Sequence, residues 1–154
     1  MSDERDDPPT DDALPAELTA RFVRGLDCFT RGEWYDAHEE LEEVWSGEVG
    51  AKRHLLQALI QLAVALHHRG NGNFGGALSL CERAQEHLAE VPHATCFIEP
   101  KPLAAQVAAL EQELRRQREA AEPRYDPALL PSFAHAAEAA RAAREQRGLP
   151  PLPR

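Results

Sequence analysis

The chain has few cysteines, and none stand at a spacing that does chemistry. Cys28, Cys81 and Cys96 are three in number, form no CxxC pair and match no finger spacing. A disulfide scaffold and a zinc ribbon are therefore not indicated. Cys28 and Cys81 fall at helical positions, where a thiol packs as a small hydrophobe. No apolar stretch near the start resembles a signal peptide, and no run approaches membrane-spanning length. The expected location is cytoplasmic, with no membrane partner. A Gly-rich phosphate loop, a GxSxG elbow and a paired-cysteine metal knot are also missing. So is any basic surplus: the formal net charge is −9, and residues 32–51 carry seven acids and no Lys or Arg. Such a field repels phosphate backbones, so nucleic acid is not an expected partner; cations or a basic partner would be attracted.

What is present is enough chain for one domain with a proper core: 154 residues, 43% hydrophobic and 28% charged, values ordinary for a globular protein. The expected organisation is a disordered acidic tail at 1–13, a single helical domain at 14–147 and a flexible Pro-rich tail at 148–154. The acidic start is too poor in apolar groups to offset its ordering entropy.

Between the tails the apolar residues recur at helical steps. A first helix begins near Pro15, carries Leu18, Phe22, Gly25, Leu26 and Phe29 on one side, and breaks at Arg31-Gly32. A second carries Trp34, Ala37, Leu41, Val44 and Trp45, and stops at Ser46-Gly47. A third, from about Ala51 to Arg69, is apolar nearly all round, which marks the central helix of the fold. A fourth spans roughly Phe74 to Ala89 and ends before Pro92. Residues 93–100 look extended or irregular. Pro102 can open a fifth helix reaching about Ala120. Asp126-Pro127 starts a last, Ala-rich stretch interrupted by Pro131.

Gly32-Glu-Trp-Tyr-Asp-Ala37 is echoed by Gly72-Asn-Phe-Gly-Gly-Ala77. A helix, a Gly turn, an aromatic and a small Ala recur, as in helical hairpins of tetratricopeptide type. Two such units are too few for a free solenoid, so the remaining helices should cap them. The expected fold class is all-α: a compact multi-helical array of antiparallel helical hairpins, a tetratricopeptide-like pair plus C-terminal helices.

The stretch His38-Glu39-Glu40-Leu41-Glu42-Glu43-Val44-Trp45 carries the candidate chemistry. His38 and Glu42 stand one turn apart on the edge of the apolar stripe. The run superficially resembles the zincin HExxH motif but has Glu42 where a second His is needed, and no well-placed pair of Glu-x-x-His motifs supports a di-iron centre. Glu39, Glu40 and Glu43 read as a solvated face. If helices two and three form a hairpin whose residue numbers sum to about 97, Gln57 and Gln61 lie at the height of His38 and Glu42. Buried amides need partners. The four side chains then form a structural network, a ligand or metal site, or an acid/base pair. Helix-terminal His67 and His68 complement a helix dipole. They join His38 only by folding back toward Trp34. His54, His87, His93 and His135 show no spacing that argues for ligation.

Gly25-Leu-x-x-Phe29-x-x-Gly32-Glu-x-x-x-Ala37-His38-Glu39-x-x-Glu42-x-x-Trp45, then Leu56-Gln57-Ala-Leu-Ile60-Gln61-x-Ala63, then Gly72-Asn73-x-x-Gly76-Ala77 resembles the prokaryotic family called domain of unknown function 309. The resemblance covers about residues 18–90. It implies a small all-helical array in which His38, Glu39, Glu42, Trp45, Gln57 and Gln61 stand at the family's signature positions; it implies no activity. The family often has Tyr at the place of His67, so His68 is the histidine that matches.

The resulting expectation is a ligand- or protein-binding module, with Trp45, Gln57, Gln61 and His68 as binding residues and His38, Glu39 and Glu42 as candidate metal ligands. No residue is assigned a catalytic role. The alternative is a metal-dependent or general acid/base hydrolase centred on His38 and Glu42. The cofactor stays open, with a divalent metal as the candidate. A protein partner or a homo-oligomer would fit the acidic helix and the apolar faces of the C-terminal helices.

Overall fold

The computed structural model describes residues 14–120 and 130–152. The segment 1–13 and the proposed start of the last helix at Asp126-Pro127 lie outside them. The described residues form six helices: α1 (Ala16–Thr30), α2 (Trp34–Trp45), α3 (Gly50–Gly70), α4 (Phe74–Leu88), α5 (Pro100–Ala120) and α6 (Ala134–Gln146). Helices α1 to α5 pack each on the next, and α6 returns to cover α1. Among the described residues there is no strand beyond a single bridge between Thr95 and Ile98.

The fold is an array of antiparallel hairpins, with α3 at its centre. Ten of its residues are buried, from Leu55 to Leu66. Each fully buried Leu or Ile there contributes roughly 1.5–3 kcal/mol, which makes α3 the element around which the others are fixed. One boundary differs from the sequence reading. Helix α5 starts at Pro100, not Pro102, because the first turn of a helix needs no backbone donors and accepts both prolines.

The echo in the sequence is an echo in the backbone. Glu33 N–H donates to the Cys28 carbonyl (2.9 Å) and Gly32 N–H to that of Phe29 (3.0 Å); Asn73 N–H donates to His68 (2.8 Å) and Gly72 N–H to Arg69 (3.0 Å). Gly32 and Gly72 both have φ of +78°. This left-handed closure of a helix end strains any residue with a Cβ. The two turns therefore launch α2 and α4 in the same way, and Ala37 and Ala77 are both fully buried.

The volumes inside the two hairpins are exchanged. Gly25 on α1 faces Leu41 on α2, and a Cβ on Gly25 would stand 2.9 Å from Leu41 Cδ2 and Cγ. At the equivalent positions of the second hairpin stand Ala65 and Cys81, both fully buried. A smaller partner on α4 leaves room for the methyl that α1 has to omit.

The C-terminal part is tied down by charge as well as packing. Arg141 on α6 reaches Asp27 on α1 at 2.7 Å and Glu138 at 2.9 Å, with Arg141 itself buried. Beyond α6, Leu149 N–H donates to the Arg144 carbonyl (3.1 Å), Arg144 Nε donates to the Pro150 carbonyl (2.6 Å), and Leu152 packs on the core. Between α4 and α5, Thr95 and Ile98 exchange both backbone hydrogen bonds around Cys96 and Phe97. Both turn residues have positive φ, a strain of order 1–3 kcal/mol each, offset by burial of Cys96 and Ile98.

Candidate functional site

Helix α2 turns its apolar stripe, Ala37, Leu41 and Val44, into the core. The residues flanking that stripe face the seam with α3. At one end of the seam the Arg53 guanidinium lies 3.9 Å over the Trp45 ring, and its Nη1 donates to the carbonyls of Trp45 (3.4 Å) and Glu48 (3.3 Å). At the other end Tyr35 packs against His67, ring centroids 5.9 Å apart. His38 and Glu42 lie between these contacts on α2, and Gln57 and Gln61 between them on α3.

The expected register is met near Gly47, where Trp45 meets Arg53. At the far end Tyr35 meets His67, more than a turn beyond the Leu62 that a strict register places there. A helical side chain leans over the turn preceding its own Cα, so His67 reaches back along α3 toward Tyr35. The fold-back that brings a terminal histidine toward α2 is thus made by His67. His68, the binding candidate, lies beside it with ring centroids 6.3 Å apart, on the α3 stripe that also carries Gln57 and Gln61.

His38 and Glu42 come together. His38 Nε2 stands 3.5 Å from Glu42 Oε2, and Nδ1 stands 3.0 Å from the Tyr35 carbonyl. Both ring nitrogens therefore face oxygen. An imidazolium satisfies both contacts, whereas a neutral ring can donate to one only. The Tyr35 ring closes the other side, with centroids 5.1 Å apart. His38 is largely covered, its side chain 19% exposed, while Glu42 is half open at 52%. Glu39 is exposed and lies about 100° around the helix from His38, so it does not join the pair.

The four-residue network expected from sequence does not close on itself. Among the described residues no hydrogen bond links Gln57 or Gln61 to His38 or Glu42. Gln61 is buried, 9% exposed, and its Oε1 has no hydrogen-bond partner among the described residues; neither has the buried indole Nε1 of Trp45. An acceptor on α3 and a donor on α2 are thus left over. Such groups cost roughly 1–3 kcal/mol when nothing pairs with them.

The solvated face needs one correction. Glu39 and Glu43 are exposed, but Glu40 is half-buried and turned to α1, where Arg21 (3.1 Å) and Arg24 (3.5 Å) meet it. The missing bases of α2 are supplied by α1.

Among the described residues no group of three or more His, Cys, Asp or Glu side chains is arranged to hold a metal ion. His38 and Glu42 are two donors, Glu39 is turned away, and the amide oxygens of Gln57 and Gln61 bind divalent transition metals weakly. Cys81 and Cys28 offer no activated nucleophile: burial, then Glu111 and Glu82, push the Cys81 thiol up to about 12, and burial raises Cys28 as well.

Some residues at work here escape a sequence reading. Arg53 was within reach of the hairpin register, which places it opposite the end of α2. Tyr35 gave no signal, because it lies off the apolar stripe. His54 and His87, thirty-three residues apart, have Nδ1 atoms 3.0 Å from each other across α3 and α4, a meeting no local spacing announces.

Residues 22–80, from within α1 to the middle of α4, match the family model described as Domain of unknown function (DUF309). The match lies within the span over which the motifs resemble it and includes His38, Glu39, Glu42, Trp45, Gln57, Gln61 and His68. No curated protein and no solved structure matches the chain. Among the described residues no helix is long and apolar enough to cross a membrane.

Proposed function

We infer that this chain, whose residues 22–80 match the DUF309 model, works as a binding module that takes a polar ligand along the α2/α3 seam. The observation that carries this reading is the pair of leftover groups: Gln61 Oε1, an acceptor on α3, and Trp45 Nε1, a donor on α2, both buried and without a partner among the described residues. A ligand acceptor complements Trp45 Nε1 and a ligand donor complements Gln61 Oε1; Trp45 meets α3 at Arg53, eight residues or about 12 Å of helix from Gln61, so a ligand that meets both is extended, as a peptide is. His38 fixes one wall and Arg53 the other, while the half-open Glu42 can swing toward a bound cation or N–H. The cluster does not read as a catalytic base, since both nitrogens of His38 already face oxygens. The hydrolytic alternative needs Glu42 to release His38 Nε2 when substrate arrives; the Nδ1 contact to Tyr35 would then hold the tautomer that leaves Nε2 a base. The missing third donor weakens a metal-dependent version.

The chain has two tryptophans, so two indole N–H signals report on it by NMR. Titration with small amides and short peptides should move the Trp45 indole signal, leave that of Trp34 in place, and lose its effect in Gln61→Leu. Amides that move both signals equally, or an undiminished response in Gln61→Leu, would overturn the reading.

A further inference from the structure

The contact between His54 and His87 lies away from the α2/α3 seam and does nothing for a ligand there. We propose that these two histidines form a clasp for a divalent transition-metal ion, joining the first turns of α3 to the last turn of α4. Their Nδ1 atoms are 3.0 Å apart, with ring centroids at 5.2 Å and planes tilted by 37°. At that distance one nitrogen must carry the proton that the other accepts, so two lone-pair directions converge on one point. A metal ion can take that proton's place. Tetrahedral zinc, at about 2.0–2.1 Å from each nitrogen, holds two imidazoles about 3.3 Å apart. Tetragonal copper(II), with cis ligands at about 2.0 Å, holds them about 2.8 Å apart. The observed separation falls between these values, so either ion needs shifts of only a few tenths of an ångström.

The surroundings favour a cation. His87 is in the last turn of α4, where the carbonyl end of the helix carries partial negative charge. Glu86 and Glu90 both act on His87 as negative charges. The nearest cations along α3 are engaged elsewhere: Lys52 pairs with Glu48 at 3.3 Å, and Arg53 lies over Trp45. Two imidazoles make an edge rather than a cage, so water completes the coordination and the ion exchanges readily.

The test is titration of the tag-free full chain with ZnCl2, and separately with CuCl2, at pH 7.5. Binding would be followed by calorimetry and thermal unfolding. Imidazole nitrogen shifts, read in the zinc titration, would identify the ligating atoms. The clasp predicts that zinc moves the Nδ1 signals of His54 and His87, that the ions raise the unfolding midpoint, and that His54→Gln or His87→Gln weakens binding by at least about tenfold. His38→Ala and the double variant His67→Ala/His68→Ala should bind as the parent does. Equal affinity in His87→Gln and the parent would overturn it, as would imidazole signals of His54 and His87 that stay fixed at millimolar zinc. The nitrogen shifts decide on the parent protein alone if a variant fails to fold.

Discussion

The α2/α3 and α4/α5 seams are built on equivalent positions, and they finish their polar groups differently. Glu42 and Trp45 of α2 correspond to Glu82 and Gln85 of α4 through the internal repeat. On the second seam Glu82 is met by Arg115 (3.3 Å), which also holds Glu111 (2.7 Å), and Gln85 donates to Glu111. His38 becomes Leu78, buried against α5. On the first seam, among the described residues, Glu42 meets its neighbour His38 alone and Trp45 Nε1 has no partner; Gln61 Oε1 on α3 has none either. One polar atom of the second seam's α5 is also left over, Gln117 Oε1, but the nitrogen of that amide donates to Glu113. The same backbone therefore serves as closed architecture in one place and open chemistry in the other. The difference lies in what the facing helix supplies: Arg115 and Glu111 of α5 meet Glu82 and Gln85, whereas Arg53 of α3 covers the Trp45 ring and leaves its Nε1 unmet.

Exchanging the two seams' residues should produce the largest effect. Leu78→His replaces a buried leucine beside Arg115, Arg118 and Glu119 with an imidazole and is expected to cost about 2–3 kcal/mol. The converse change, His38→Leu, should shift stability by less than about 0.5 kcal/mol in either direction. Urea unfolding of both variants measures this, and equal losses would erase the distinction between the seams.

The exchanged volumes give the next test. Gly25→Ala drives a methyl into fully buried Leu41 and should cost about 1–3 kcal/mol by overpacking, against about 1 kcal/mol gained in helix propensity. Adding Leu41→Cys recreates the Ala65–Cys81 arrangement and should recover most of the loss. A double variant no better than the single one would show that the two hairpins are not interchangeable in their packing.

A smaller effect should follow acidity. His87 has its pKa lowered from the usual 6.5, by burial first and by His54 second. The unfolded chain therefore binds this proton more readily than the folded one. Stability should hold above pH 6.5 and fall as pH drops through that value toward the folded pKa. His87→Gln should flatten this part of the profile; an unchanged slope would assign the acid sensitivity to other groups.

The helices and the repeat were legible because both rest on local pattern: apolar residues at helical steps, and the Gly32 and Gly72 turns that close each helix end. The central place of α3 followed from its Leu, Ile and Ala content. Contacts between helices were less accessible. The hairpin register located Trp45 against Arg53, but it could not see His67 lean back to Tyr35, since that depends on side-chain direction. Glu40 read as solvated because its partners, Arg21 and Arg24, sit on another helix. The His54–His87 contact needed α3 and α4 to be packed before it existed at all. Of the three readings open for the His38, Glu42, Gln57 and Gln61 cluster, the self-satisfied network is the one that the unpaired Gln61 Oε1 does not fit.

The most direct test compares equilibrium unfolding of Gln61→Leu with that of Gln85→Leu. If the α2/α3 seam holds its polar groups open for a ligand, Gln61→Leu removes an unpaired acceptor and should stabilise the free protein by about 1 kcal/mol. Gln85→Leu breaks a made hydrogen bond to Glu111 and should destabilise it by a similar amount. Opposite movements of the two midpoints are the predicted result. A loss of stability in both would mean that Gln61 ties the hairpin together, and the account of an open seam would be contradicted.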